Sequence, residues 1–542
     1  MQVYSHTDEQ LQIPARLRSV ALGLFDGLHP GHRQVILAAT QIPHDGITPA
    51  VYTFDPLTIN TKGIIRRLCS PEEEQALLTD MGVQELFRVD FATVRHLSPE
   101  DFVEQILHQR LGAVQVTCGF NYRFGAGGAG DAALLTRLCA AYGIAVTVVP
   151  EVDEDGAPIS STSIRKALAA GDMATVRWRM GRPYRLQIPV THGQGLGRKL
   201  ELPTINQILP ADRACPRYGV YISCVQIQNR VYPGITNIGV RPTVGAEAPL
   251  AETYILDYEG DLYGTAPSVY PLEYLREEQS FPSLEHLRQQ IQQDVQAACD
   301  HFAVSKDRAN IRAIFFDFDD TLDDRDAACR QGLSAFLQHY YPSLSPVEHT
   351  ARIEEMFRYQ RGDYGHIIDY PTLIHHFLTL WPAEVSADPD AALNRFYHGF
   401  AAGSQPHPDV IPTLIALRQK GYLVGIITNG HRIPQTRKMD YSRLRPYLDL
   451  LVLAGEEEVQ KPHPAIFHLA AARLGVPPAA CVYVGDHPDN DLRGAQNAGF
   501  IPICKQSARE ADHPIHRMTV PADIPVIGQI GELLSWLENS AT

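Results

Sequence analysis

Residues 19–40 read SVALGLFDGLHPGHRQVILAAT. An apolar run from Ser19 to Phe25 passes directly into Asp26-Gly27-Leu28-His29-Pro30-Gly31-His32, and a helical segment follows. Short apolar runs bounded by turn residues read as buried strands. A strand, a Gly-containing turn and a helix in that order make the first half of a strand–helix–strand unit. Ligands bind at the carboxyl ends of such strands, beside the helix N-termini. The pattern repeats outward, in TPAVYTFDP (48–56), QELFRVDF (84–91), VQVTCGF (114–120) and IAVTVVPEV (144–152). Helical spacing lies between these runs, which predicts a parallel sheet with helices on both faces over residues 18–180.

The texture changes from about residue 183. YRLQIPVTHG (184–193), GVYISCVQIQ (219–228), RVYPGITNIG (230–239), ETYILDYEGDLYG (252–264) and PSVYPLEYL (267–275) are rich in Val, Ile, Thr and Tyr, with turn residues between. They predict a compact antiparallel barrel or sandwich. A helix over 283–302 follows, and polar KDRANIR (306–312) reads as a linker. AIFFDFDD (313–320) opens a second α/β unit. Residues 326–405 are helical and aromatic-rich, and strands return at YLVGIITNG (422–430), LDLLVLAG (448–455), CVYVGDH (481–487) and FIPICK (500–505).

The 542 residues suffice for about three or four domains. With 47 basic and 62 acidic residues the net charge is −15. That balance argues against a general nucleic-acid or membrane surface, which needs a basic field, but leaves room for a local anion pocket. The nine cysteines form no CxxC pair, which fits a reducing compartment rather than a disulfide framework. MQVYSHTDEQ has no basic stretch leading into an apolar run, and no uncharged apolar run reaches about 18 residues. No secretory leader or membrane span is expected, and the protein reads as cytoplasmic.

His29 and His32 lie three apart around Pro30-Gly31. Two imidazoles can donate N–H groups to a pentacoordinate α-phosphorus, where charge grows in the transition state, and Gly31 lets the backbone approach a phosphate. An isolated HxxH is also compatible with a turn carrying two surface histidines. The surrounding tract resembles the HxGH signature of the nucleotidyltransferase superfamily, and FDGLHPGH resembles the bacterial flavin adenylyltransferases. TFDP (53–56), GFNYRFGAGGAGD (119–131) with Arg123, and ISSTSIR (159–165) follow in that family's order. The resemblance implies a Rossmann-like domain in which Ser160, Ser161, Thr162 and Arg165 grip ATP phosphates. Hydroxyls and a guanidinium suit that task. Asn121 stands where the family has Asp.

Thr204 and Asn206 in Pro203-Thr-Ile-Asn206 place a hydroxyl and an amide carbonyl where both can face Mg²⁺, a cation that prefers oxygen. A carboxylate near it, Glu252, can take a substrate hydroxyl proton. GRPY, HGQGLGRKL, LPTIN, YGVY, NIGVRPT, AETYILDYEGDLYG and LRxExxF resemble the riboflavin kinases. The resemblance implies an antiparallel β-barrel kinase domain, with Thr204 and Asn206 on Mg²⁺-ATP and Glu252 as base on the ribityl 5′-hydroxyl. It places Gly193, Gly195 and Gly197 over the phosphates. Ile188 and Glu201 stand where that family commonly has Gly. Together, residues 1–305 resemble the bifunctional riboflavin kinase/FAD synthetase family.

Asp317 and Asp319 sit two apart at the end of AIFF and so point the same way. Two close carboxylates repel unless a cation or proton lies between them. Mg²⁺ there would leave Asp317 ionised as a nucleophile, with Asp319 protonating the leaving group. Thr428-Asn429-Gly430 offers a hydroxyl and backbone N–H groups for a phosphoryl oxygen, Lys461 a cation, and Asp486 and Asp491 further carboxylates. DxDxT, TNG, KP and GDxxxND in this order resemble the haloacid dehalogenase superfamily. That resemblance implies a second Rossmann-like core with a helical cap over 326–405, an aspartyl-phosphate on Asp317, and Mg²⁺ on Asp317, the Asp319 carbonyl and Asp486, with Asp491 beside them. Phe357, Tyr359, Tyr364, Tyr370 and Trp381 read as core of the cap rather than substrate contacts.

The expected multidomain α/β chain therefore has an adenylyltransferase domain at 1–182, a kinase domain at 183–305, a linker at 306–312 and a phosphatase domain at 313–542. Mg²⁺, ATP, riboflavin, FMN and FAD are its implied cofactors and substrates, with no nucleic acid or membrane partner. The phosphatase substrate is expected to be the phosphorylated ribityl-aminouracil precursor of riboflavin. FMN is the alternative, and a purely binding or regulatory module is a third reading.

Overall fold

A computed structural model describes residues 1–5, 13–40, 46–55, 58, 66–151, 153–154, 157–192, 203–228, 230–240, 249–302, 310–362, 368–430, 432–506 and 519–538. The chain divides into two compact units, Met1–Val304 with Ala471–Pro477, and Ser305–Ala470 with Pro478–Thr542. Among the described residues, no helix is long and apolar enough to cross a membrane.

The first unit holds two six-stranded sheets. Strands β1 (Gln2–Ser5), β2 (Leu17–Leu22), β3 (Ile47–Phe54), β4 (Glu85–Val89), β5 (Ala113–Gly119) and β6 (Ala145–Val149) form the first, in the order β1-β4-β3-β2-β5-β6. Every pairing is parallel. All five expected strands are present; β1 is an addition at the edge. Ser19 to Leu22 are buried because β2 lies between β3 and β5, as a parallel strand covered on both faces must be. A short hairpin, β7 (Asp153–Glu154) and β8 (Ala157–Pro158), follows.

The second sheet comprises β9 (Leu186–Gln187), β10 (Thr204–Ile208), β11 (Gly219–Ile227), β12 (Arg230–Gly239), β13 (Leu250–Ile255) and β14 (Ser268–Arg276). Its order is β10-β13-β12-β11-β14-β9, antiparallel throughout. Period-2 alternation sets its faces. Ile205, Gln207, Ile238, Ala251, Thr253 and Ile255 share the core side, whereas Thr204, Asn206, Asn237 and Glu252 share the other. The helix Leu284–Phe302 starts one residue after Ser283, whose hydroxyl accepts the His286 amide.

In the second unit β15 (Ala313–Phe316), β16 (Leu423–Thr428), β17 (Leu450–Leu453), β18 (Cys481–Gly485), β19 (Ile501–Lys505) and β20 (Val526–Ile527) form a parallel sheet of order β17-β16-β15-β18-β19-β20. Within the expected linker, residues 310–312 are described, and Ile311 is buried in the core of this unit. A helix, Val410–Gln419, leads into β16, and four more lie between it and β15: Arg325–Tyr340, Pro346–Arg361, Tyr370–Leu380 and Pro389–Gly403. Each starts at an acidic or hydroxyl cap, Asp324, Ser345, Asp369 or Asp388, which accepts an otherwise orphaned backbone N–H. Phe357, Tyr359, Tyr370 and Trp381 pack into the core of these helices; Tyr364 lies outside the described residues.

One polar contact inside the first sheet is unusually demanding. Arg18 and Glu85 are each 1% exposed and pair at 2.5 Å, with Arg18 Nη1 also donating to Leu111 O at 2.8 Å. A lone carboxylate there would be buried without an adequate counter-charge. Arg18→Met is expected to cost about 3 kcal/mol, and the double variant with Glu85→Gln to recover much of it. Denaturant unfolding of both variants checks this; a single variant as stable as the parent would rule the pair out as a stability determinant.

Candidate active sites

The first site lies beyond β2. The helix Pro30–Thr40 begins inside the His29–His32 tetrad, so both imidazoles and Gly31 occupy its entry. The two rings stack with centroids 3.6 Å apart, and the edge of Phe25 meets His32 at 5.4 Å. Burial, reinforced by Arg182, pushes His29 down to about 4; burial, then His29 and Arg165, pushes His32 well below the usual range. Both are neutral at physiological pH, and each keeps one N–H to donate. The buried His32 Nδ1 has no hydrogen-bond partner. Leu28 holds φ +44, a left-handed conformation rare outside glycine and concentrated at functional sites.

Asp26 organises this loop, a role the sequence reading missed. Its carboxylate pairs with Arg165 and accepts the Leu68 amide at 2.9 Å, while its carbonyl accepts the Ser161 hydroxyl at 2.8 Å. The helix Ser161–Ala170 is thereby tied to the histidine loop. The Ser160 hydroxyl accepts the Ser163 amide in a reciprocal capping box, which leaves its own O–H available to donate. Thr162 is exposed on the same helix turn, and Arg123 is exposed in its Gly-rich loop, with Asp131 4.0 Å away. Asn121 is exposed as well.

The second site is a row across three strands. Asn206 on β10 pairs with Glu252 on β13, and Glu252 pairs with Asn237 on β12. Directly opposed residues share a face at about 4.5–5.5 Å between Cβ atoms. Thr204 is on that face too, two residues before Asn206. The Asn206 Oδ1 is buried without a hydrogen-bond partner. A hydroxyl oxygen and an unsatisfied amide oxygen are the hard donors that Mg²⁺ takes. Ile188 turns its side chain into the domain core, while its carbonyl accepts from Gln207 at 2.6 Å. Gly193, Gly195, Gly197 and Glu201 lie outside the described residues.

The third site gathers at the ends of β15, β16 and β18. Lys461 Nζ is 2.6 Å from both Asp317 Oδ1 and Asp491 Oδ1 and donates to the Tyr483 hydroxyl at 2.9 Å. Burial disfavours the Lys461 charge, but the two carboxylates together hold its pKa above the ordinary lysine range. Burial pushes Asp317 up, against the pull of Lys461. Asp317, Asp486 and Asp491 bring one oxygen each within 4.8 Å of the others, all buried. Three converging carboxylates make an all-oxygen donor set, which fits a divalent cation such as Mg²⁺. Gly485 makes room: a Cβ there would lie 2.5 Å from the Asp491 side chain.

Two side chains at this centre have partners that the sequence did not indicate. The Asn429 side-chain amide clamps Lys461, donating to its carbonyl and accepting from its N–H, each at 2.9 Å. The Asp319 carboxylate pairs with Lys438 and accepts from Gln435 Nε2, the latter at 2.7 Å. Lys438 and Gln435, on the helix Arg432–Tyr441, carried no motif that would have marked them. Asp320 holds φ +64 immediately after Asp319. Thr428 is buried, with its hydroxyl on Asn429 O at 3.2 Å.

Family models match in tandem: FAD synthetase over residues 13–163, riboflavin kinase over 180–302 and haloacid dehalogenase-like hydrolase over 311–499. A bifunctional riboflavin kinase/FMN adenylyltransferase from Pseudomonas fluorescens is 36% identical over 289 residues, 51% of this chain and 90% of that protein. The enzymes of the same description from Escherichia coli K12 and Bacillus subtilis 168 are 32% and 33% identical. They are matched over 54% and 52% of this chain, and 96% and 92% of their own lengths. These matches run through the histidine loop and the Asn206–Glu252 row, and the chain belongs to the bifunctional riboflavin kinase/FMN adenylyltransferase family, extended by a haloacid dehalogenase-like hydrolase domain.

Proposed function

We propose that this chain carries three reactions of flavin metabolism: riboflavin phosphorylation at residues 183–305, FMN adenylylation at 1–182 and phosphomonoester hydrolysis at 313–542. The second sheet is read as a closed barrel, since Thr191 bridges Asn206 beyond the strand-order ends. The helices over 326–405 are read as a cap above the hydrolase site.

In the kinase, Glu252 takes the proton of the ribityl 5′-hydroxyl as that oxygen bonds to the γ-phosphorus of ATP and ADP departs. Thr204 and Asn206 would hold the Mg²⁺ that accompanies the nucleotide. In adenylyl transfer, an FMN phosphate oxygen attacks the α-phosphorus of ATP and pyrophosphate leaves. Neutral His29 and His32 donate N–H groups to the oxygens where charge accumulates. Arg165 anchors the loop through Asp26 and completes the anion pocket with Arg123 and Thr162.

In the hydrolase, the Asp317 carboxylate bonds to phosphorus as the phosphorus–oxygen bond to the substrate alcohol breaks, and Asp319 protonates the departing oxygen; water, giving its proton to Asp319, then cleaves the aspartyl phosphate to inorganic phosphate and free Asp317. Mg²⁺ on Asp317, Asp486 and Asp491 would neutralise the phosphoryl oxygens. Lys461, clamped by Asn429, holds Asp317 in place. The observation that carries this reading is the buried Asp317–Lys461–Asp491 triangle at the strand ends. The proposed substrate is the phosphorylated ribityl-aminouracil precursor of riboflavin: its hydrolysis feeds the kinase, whereas FMN hydrolysis would undo it.

His32→Ala is expected to lower FAD formation at least about 10²-fold while FMN formation persists. Equal FAD output would remove His32 from the chemistry. Glu252→Gln should lower FMN formation by about 10²–10⁴ and spare the conversion of supplied FMN to FAD; a normal kinase rate would assign the base elsewhere. Asp317→Asn is expected to abolish release of phosphate from the aminouracil phosphate without changing the FMN and FAD time courses. If that variant instead accumulates FMN, the hydrolase acts on FMN, and undiminished phosphate release would mean a different nucleophile.

A further inference from the structure

Asn237 belongs to no reaction described so far, yet it stands beside Glu252 on the same sheet face. Its amide orientation follows from chemistry. Asn237 Nδ2 lies 3.0 Å from Glu278 Oε1, and a carboxylate only accepts, so the NH₂ end must face Glu278. The carbonyl end is therefore turned away from Glu278, and that Oδ1 is buried without a hydrogen-bond partner. Glu278 itself lies against Gly239, two residues along β12 on the same face. A Cβ on Gly239 would come within 2.1 Å of its carboxylate. The bare backbone at 239 thus lets Glu278 reach Asn237. A buried carbonyl left unsatisfied costs stability unless a donor arrives.

The strand order suggests which donor. On the reading of the kinase given above, the nucleotide and its cation sit at Thr204 and Asn206 on β10. Glu252 on β13 occupies the middle of the row, and β12 lies on the far side. In-line transfer places donor and acceptor on opposite sides of the moving phosphoryl group. The acceptor's hydroxyl chain then runs along β12. We propose that Asn237, oriented by Glu278, accepts a hydrogen bond from a secondary hydroxyl of the polyol chain whose terminal hydroxyl Glu252 deprotonates. It is a specificity-determining residue for a polyhydroxylated acceptor, and Glu278 is its positioning residue.

The test crosses enzyme variants with substrate variants. The intact chain, Asn237→Ala and Glu278→Ala would be assayed for ATP-dependent phosphorylation of riboflavin and of analogues lacking the 2′-, 3′- or 4′-hydroxyl. One neutral hydrogen bond predicts that Asn237→Ala loses about 3- to 10-fold in kcat/KM for riboflavin. For the one analogue lacking the partner hydroxyl, variant and parent should then react alike. Glu278→Ala should show the same pattern at smaller amplitude, with the KM for ATP unchanged in both. A structural role would lower all four flavins equally, and that outcome overturns the proposal, as does an unchanged riboflavin kcat/KM or a shift confined to ATP. If the intact chain phosphorylates no flavin, the kinase reading itself fails; if it phosphorylates all of them and Asn237→Ala is indistinguishable, only this inference fails.

Discussion

Parallel pairing is the constraint from which the two α/β regions draw their sites. A parallel strand cannot return through a tight turn, so every strand must leave its sheet at the same edge and cross back through a helix. Loops from strands distant in sequence then converge. That is why the segment after β2, carrying His29, meets the helix starting at Ser161, and why Asp317, Lys461 and Asp491 meet although 174 positions separate the first from the last (491 − 317). In both sheets the central strand supplies the main functional loop. In both, that loop contains a non-glycine residue at positive φ, Leu28 or Asp320.

The antiparallel sheet solves the same problem differently. Its candidate site does not sit at strand ends but in one row across β10, β13 and β12, where register alone sets the spacing. A slip of one residue would send Glu252 to the core face and Thr253 outward. The buried hydroxyl pair Thr236–Thr253, 2.9 Å apart on the core side, opposes such a slip because it would be broken. Packing on one face therefore guards the chemistry on the other.

Charge burial separates structural polar groups from functional ones. Arg18 and Glu85 neutralise one another inside the first sheet. At the hydrolase centre two carboxylates, Asp317 and Asp491, instead share the Lys461 ammonium, with the Asp486 carboxylate beside them. The histidine loop shows the converse: burial disfavours the charged form of both imidazoles.

Much was legible in the sequence because apolar runs and turn residues report on burial locally. The five main strands of the first sheet, the helical insertion and the DxDxT, TNG and KP tracts all fall in this class. The exposed four-residue edge strand β1 left no such signal. What the sequence by itself determined was which segments become strands or helices, and which residue types stand at their ends. Only the tertiary structure decided how those residues are used: Asp26 pairs with Arg165, Asn429 clamps Lys461, Asp319 turns to Lys438, and Glu278 meets Asn237 across 41 positions. The reason is physical. Secondary structure follows from local periodicity, whereas a polar side chain's partner is set by whichever donor or acceptor burial brings within about 3 Å of it.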